Sequence, residues 1–373
     1  MWGSDLDEDY SVRNFDKLYK SVGHNTGNVA FVHAIKKLVK LDVYSVPWHS
    51  VGEIKSEVLV FPAANQLGRH TDLGGLASGL EKSGAPIVVI GLGAQADDEN
   101  SEPELKPGTQ FWLETILKNR PSLNSNIWTR GEYTSNQIRR LVPGSDPVTG
   151  CCPSLFINQN AELGKNLSMN KSDFRRVAVA AGNQGFRGMS KIEPELASLV
   201  SDALYPGRYI TQSMGEMIAL GLGQFEKIDG EKMMSLNKYI APWLDESGFK
   251  NWCKTYARTY FDAKSWMYEL SNFDAVVGAR YHGVALGLQA GIPGVLIAID
   301  SRTYELGLAT GVPTIKSIEI DSITRRYLKT KWEEFDPIAY DTSRVALAQR
   351  FHRFLKDNLL EPTDHLKKLA DPN

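Results

Sequence analysis

The chain has 373 residues, 42% hydrophobic and 23% charged, with a formal net charge of −2. That length exceeds what one compact core usually holds and suits two domains of ordinary size. The near-neutral balance argues against nucleic acid or an acidic membrane surface as the main partner.

The opening residues, "MWGSDLDEDY", are acidic and lack the apolar centre of a secretory signal peptide. No apolar run approaches the roughly 18 uninterrupted residues of a membrane helix. Cys151, Cys152 and Cys253 are an odd set with no Cys-x-x-Cys spacing, which suggests small buried thiols in a reducing compartment. A cytoplasmic protein is expected.

Along the chain, short apolar runs alternate with amphipathic stretches. "GNVAFVHAIKKLVK" (27–40) has helical periodicity. "SEVLVFPA" (56–63) reads as a strand and its exit, and "APIVVIGLGAQ" (85–95) as a buried parallel strand with a glycine-rich turn. "SNIWTRGEYTSNQIRRLV" (125–142) is a short strand feeding a helix. "NQNAELGKNLSMNKSD" (158–173) is polar and reads as a linker. The theme repeats with "RRVAVAAGNQ" (175–184), "GRYITQS" (207–213), the helix "GEMIALGLGQF" (215–225), "FDAVVGA" (273–279) and "PGVLIAID" (293–300). "DTSRVALAQRFHRFLKDNLL" (341–360) predicts a closing helix capped by Asp341 or Thr342, with frayed residues after it.

Strand and helix in repeated alternation predict parallel sheets covered on both faces. The expected architecture is α/β: an N-terminal extension (1–19), two Rossmann-like doubly wound domains (20–165 and 166–330) with a cleft between them, and a helical tail (331–373). Ligands of such folds bind at the carboxyl ends of the strands.

Arg280, Tyr281, His282 and Gly283 fall where a buried strand ends and a helix begins. Free backbone N–H groups there favour an anion, a guanidinium matches a carboxylate or phosphate, and a histidine carries a proton near neutral pH. Arg280 and His282 are therefore the candidate catalytic pair. A first strand ending near Val22 would present Asn25, Gly27 and Asn28 to the cleft, although Asn28 reads equally as a helix cap. Gln95 and Gln212 each follow a strand and reach toward a ligand. Asp300 and Glu305 follow the last cleft strand as sugar contacts, the alternative being a surface Arg302–Glu305 pair. Trp128 or Trp266 would supply a ring for stacking on a sugar. No Asp/His cluster has metal-ligand spacing, so no metal and no other cofactor is expected.

"DAVVGARYHGVALGLQAGIPGVLIAID" (274–300) resembles the C-terminal signature of the polysaccharide pyruvyl transferase family. "GHNTGNVAFVHAIKKL" (23–38), "PIVVIGLGAQ" (86–95), "WTRGEYTSNQIRRL" and "TGCCPSLFI" (149–157) resemble further family segments, in order. The resemblance spans about residues 20–320. It implies an architecture like the GT-B glycosyltransferases, and transfer of a pyruvyl group from phosphoenolpyruvate to saccharide hydroxyls, usually as a cyclic ketal, in polysaccharide biosynthesis. The acceptor would be a saccharide or a lipid-linked saccharide; peripheral membrane association and oligomeric state stay open. Arg130 and Ser135 stand where the family has functional residues, a surface salt bridge and a helix cap being the alternatives. The sequence departs from the family with Asn28 in place of Asp, with Arg130–Gly131 in place of an Arg-Asp pair, and with Asn183 and Gln184 in place of a Leu-Arg turn, where Arg187 would supply the charge. A nucleotide-sugar glycosyltransferase of similar fold and a non-catalytic saccharide-binding relative are the competing readings.

Overall fold

The computed structural model describes residues 14–40, 48–169 and 173–372; the acidic opening decapeptide lies outside them. Two separate parallel sheets and one small antiparallel ladder organise the chain. The ladder joins β1 (Val39–Lys40) to β11 (Glu361–Pro362). The first parallel sheet holds β2 (Leu59–Pro62), β3 (Ile87–Leu92) and β4 (Ile127–Thr129), in that order. The second holds β5 (Val177–Ala180), β6 (Arg208–Ile210), β7 (Ala257–Arg258), β8 (Ala275–Gly278), β9 (Gly294–Ala298) and β10 (Thr314–Lys316), in the order β10-β9-β8-β5-β6-β7.

The apolar runs explain these strands. All six residues of β3 and all five of β9 are buried, as continuous hydrophobic strands under helices must be. Alternation along β3 splits the core. Ile87 and Val89 join a cluster with Leu76, Leu80 and Trp112, while Val88 and Ile90 join a larger one shared with the second sheet. The apolar contact between the two halves is therefore continuous.

In the second sheet the chain winds outward from β5 to β7, then returns to place β8 on the other side of β5. The reversal point of a doubly wound sheet is where ligands settle. Gly278 sits there at φ 153°, and a Cβ on it would lie 2.1 Å from the Ala180 carbonyl oxygen. Only glycine lets the ends of β5 and β8 approach this closely.

Several expected elements differ. No strand ends at Val22; Val22 closes the helix Phe15–Ser21 instead. The stretch read as a linker contains the helix Leu163–Met169, with Leu163 and Leu167 buried. The closing helix is longer than predicted, Pro337–Asp357, and its cap is Asp336 rather than Asp341 or Thr342. The residues after it are not frayed: they form β11 and the helix Asp364–Ala370, which buries Leu366 and Leu369. No helix among the described residues is long and apolar enough to cross a membrane.

Candidate active site

The carboxyl ends of β3, β5 and β9 open onto one cavity of about 740 Å³. Gln95, Ala96 and Asp97 follow β3, Asn183 to Arg187 follow β5, and Ile299 and Asp300 follow β9; Asn183, Arg187, Gln95 and Asp300 all line the cavity, with Arg69 and His70 from the first half. Both halves thus build its wall. They are strutted together beside it: Gln95 Nε2 donates to Asp300 Oδ2 at 3.1 Å, and the Ala96 amide donates to Ser301 Oγ at 2.9 Å. Asn183 Oδ1 is held by the Gly185 N–H at 3.0 Å, and the Arg187 carbonyl accepts from Ser317 Oγ at 2.7 Å. Asp300 also caps the helix Ser301–Thr310 in a capping box with Thr303.

Arg280 caps the helix Tyr281–Gln289, one turn residue beyond β8. Its guanidinium carbon lies 4.3 Å from the ring centre of Phe186, a cavity-lining residue, and Nη2 donates to Ser213 Oγ. Its Nε is buried with no hydrogen-bond partner among the described residues. Burial, then repulsion from Arg302, brings its pKa down to about 9, which leaves it cationic at neutral pH. Arg302 Nε and Gln212 Nε2 are buried and unpartnered in the same sense. Unsatisfied buried donors cost about 1–3 kcal/mol each, and an oxyanion among them would remove that cost.

His282 stands two residues further, in the first turn of that helix, and is partly buried. Its Nε2 lies 3.4 Å from Cys152 Sγ. Its Nδ1 lies over Gly27, in close packing: a Cβ placed on Gly27 would be 2.9 Å from Gln212 Oε1, 3.1 Å from Asn25 Oδ1 and 3.4 Å from Nδ1. A side chain on Gly27 would therefore crowd all three polar groups. Asn25 Oδ1 fixes that turn by accepting from the Gly27 N–H at 2.9 Å. The Thr26 amide donates to the Gln212 carbonyl at 2.8 Å, which ties the N-terminal turn to the end of β6. Burial, followed by the charges of Arg130, Arg302 and Arg280, pushes His282 well below the ordinary histidine range. The free imidazole is therefore neutral at pH 7, a proton acceptor rather than an acid.

Other expected contacts turn inward. Asn28 is no cap; it is the first helical residue, and its amide donates to the Val22 carbonyl at 2.9 Å. Arg130 is neither exposed nor salt-bridged. It is buried against Phe31 and donates to the carbonyls of Gly91 (2.7 Å) and Ala63 (3.1 Å), stitching β3 to the exit of β2. Its remaining influence on the site is its charge near His282. Ser135 is buried in a hydroxyl cluster with Thr129 and Thr149, at 2.8 Å from each. Tyr281 is buried away from the cavity, its hydroxyl engaged by Thr310 and Ser154. Gly283 serves packing: a Cβ there would be 2.6 Å from that of Ala180. Glu305 does not pair with Arg302. Its carboxylate accepts from the Thr134 amide (2.6 Å) and hydroxyl (2.7 Å) at the start of helix Glu132–Leu141, and burial raises its pKa to about 7. Trp128 and Trp266 are both fully buried, so neither offers a face to a sugar.

Sequence reasoning missed Phe186, Ser213 and Cys152, and weighed Arg302 only as a sugar contact or a surface cation. The latter's signal was present: Arg302 is the second helical residue after β9, as His282 is after β8.

A family model described as polysaccharide pyruvyl transferase matches residues 9–301. No curated protein matches the chain. Among solved structures, "The crystal structure of the glycosyl transferase family 9 from Veillonella parvula DSM 2008" is similar over 94% of this chain and 81% of that one, at 9% sequence identity and a TM-score of 0.27.

Proposed function

The chain belongs to the polysaccharide pyruvyl transferase family, and we propose that it moves a pyruvyl group from phosphoenolpyruvate to two hydroxyls of a saccharide, closing a cyclic ketal. The observation that carries this reading is the set of buried, unpaired donors on Arg280, Arg302 and Gln212 beside a proton-poor imidazole. Phosphoenolpyruvate brings a carboxylate and a phosphate, and its oxygens suit such donors. Arg280 and Arg302 grip the anion, and no metal or further cofactor is needed for charge balance.

The acceptor saccharide lies in the 740 Å³ cavity between Gln95, Asn183, Arg187 and Asp300. His282 takes the proton of the attacking hydroxyl as its oxygen bonds to C2 of the donor. That proton passes from His282 to the donor's methylene carbon, which becomes the methyl group. The C2–O bond to phosphate then breaks, a second hydroxyl closes the ring, and one proton leaves with the phosphate. Atoms and charge balance without an outside oxidant or reductant. The three free, buried cysteines suit the reducing, cytoplasmic setting that belongs to this proposal.

Thermal unfolding tests it. Phosphoenolpyruvate at roughly hundredfold excess over Kd adds about 2.7 kcal/mol of stability, a clear rise in Tm. The reading predicts that rise with phosphoenolpyruvate and none with nucleotide sugars. The reverse pattern assigns the site to glycosyl transfer, and no shift with either leaves a fold without the proposed donor site.

A further inference from the structure

We propose that Cys152 is a positioning residue for His282: its sulfur holds Nε2, so that Nδ1 is the nitrogen that takes the hydroxyl proton. The inference rests on the pyruvyl-transfer reading and goes beyond it by assigning the working atom and the residue that selects it.

Cys152 ends the segment after β4 and caps the 3-10 turn Pro153–Phe156. It is fully buried, and its thiol is free. Ser154 Oγ donates to Sγ at 3.1 Å, and Sγ meets His282 Nε2 at 3.4 Å. The sulfur is thus fixed from one side by a hydroxyl on a rigid turn and touches the ring on the other. Phe31 and Tyr281 flank the imidazole with ring centres at 5.5 and 5.4 Å, so the ring has little freedom to turn over.

The two ring nitrogens therefore face different surroundings. Nε2 looks into packed protein, where no substrate reaches. Nδ1 faces the polar side, over the side-chain-free Gly27 where Gln212 Oε1 and Asn25 Oδ1 also converge. Which nitrogen of a neutral imidazole carries the proton is set by what the other one touches. For Nδ1 to accept a proton, Nε2 must carry the ring hydrogen, and the Cys152 sulfur lone pair receives it. In the reaction the hydroxyl O–H bond breaks and an N–H bond forms at Nδ1, while the oxygen's electron pair bonds to C2. The proton then passes from Nδ1 to the donor's methylene carbon, and the second hydroxyl's proton leaves with the phosphate. The thiol itself forms no bond to substrate.

Nitrogen-15 NMR of the full chain labelled at histidine reads the tautomer directly, with the His282 signals assigned by their loss in His282→Gln. The expected result for the wild-type protein without substrate is hydrogen on Nε2 and a bare Nδ1. In Cys152→Ala the two nitrogens should become averaged and kcat should fall about tenfold, with KM for phosphoenolpyruvate within about twofold; Cys152→Ser, which keeps an acceptor atom, should recover most of both. Hydrogen on Nδ1 in the wild type, or an unchanged tautomer and kcat in Cys152→Ala, overturns the proposal. If Cys152→Ala does not fold, the wild-type spectrum alone decides. Calorimetric binding of phosphoenolpyruvate to the wild type separates the two levels: binding with hydrogen on Nδ1 sinks only the role of Cys152, whereas absent binding sinks the underlying reading as well.

Discussion

Arg280 and His282 stand two positions apart, and the strand-to-helix turn sends them to different places. The guanidinium lies against Phe186 and Ser213, and the imidazole fits between Cys152 and Gly27. Their division of labour predicts different losses. Arg302→Ala should weaken phosphoenolpyruvate binding by about 2 kcal/mol, as for a lost charge-assisted contact, while His282→Ala should lower kcat roughly a hundredfold with a smaller effect on binding; isothermal titration and a phosphate-release assay separate the two. The pH behaviour of His282 follows from its surroundings. Its folded pKa lies well below 6.5, for burial and three guanidinium groups disfavour the cation. The group therefore contributes stability that is fully present above pH 6.5 and is lost as pH falls below it. An NMR titration of the free protein should find the imidazole still neutral at pH 6.5; a half-titrated ring at that pH contradicts the account. The pair's place at a strand-to-helix turn was legible in the sequence, because an apolar run broken by an arginine and a histidine marks the end of one element and the start of the next. The roles of Asn28, Arg130 and Ser135 were not legible: a donor aimed at a backbone carbonyl looks, in one dimension, like a donor aimed at a ligand.

At the level of elements, the parallel strands could be read from their continuous apolar runs, since burial on both faces leaves no other composition. Capping was harder, because a cap can come from elsewhere in the chain. Asp341 has the residue type and spacing of an N-cap, yet its carboxylate accepts from the amides of Gly164 (2.6 Å) and Lys165 (3.0 Å), at the start of a different helix. That contact is why the polar stretch taken for a linker is a helix: its first turn is satisfied from 177 residues away. Glu305 does the same across the two halves, by accepting from Thr134. Its ordinary pKa of 4.5 is raised to about 7 in the fold, so the folded chain holds a proton that the unfolded chain has released. The group then favours folding most below pH 4.5, and that advantage is lost between pH 4.5 and about 7. Glu305→Gln keeps an oxygen for the Thr134 amide and removes the charge. Its stability should exceed that of the wild type at pH 8 by up to roughly 3 kcal/mol, and the difference should shrink toward pH 5; denaturant melts at the two pH values check it. A variant that is less stable at both contradicts the assignment.

Across the whole molecule, the two parallel sheets could be anticipated, whereas the way they are bound together could not. The long helix Pro337–Asp357 carries Phe351 and Phe354 against Trp128 of the first sheet. From the same helix the fully buried Arg344 donates to the carbonyls of Leu155, Asn158 and Asn160. Nothing local in "DTSRVALAQRF" distinguishes Arg344 from a surface arginine; its partners are nearly 190 residues away. Arg344→Ala leaves those carbonyls unpaired and should cost about 3 kcal/mol or more of stability, with Kd for phosphoenolpyruvate unchanged, as thermal melts and titration would read. With the halves fixed in this way, the cavity wall that carries Phe186, against which Arg280 lies, is in place before any ligand arrives. The central claim is that the Arg280 and Arg302 cations hold phosphoenolpyruvate. Calorimetric titration of phosphoenolpyruvate into the wild-type protein and into Arg280→Ala tests it most directly. The account predicts saturable binding to the wild type and a loss of about 2 kcal/mol, roughly thirtyfold in Kd, in the variant; equal affinity in both proteins, or no binding to the wild type, contradicts it.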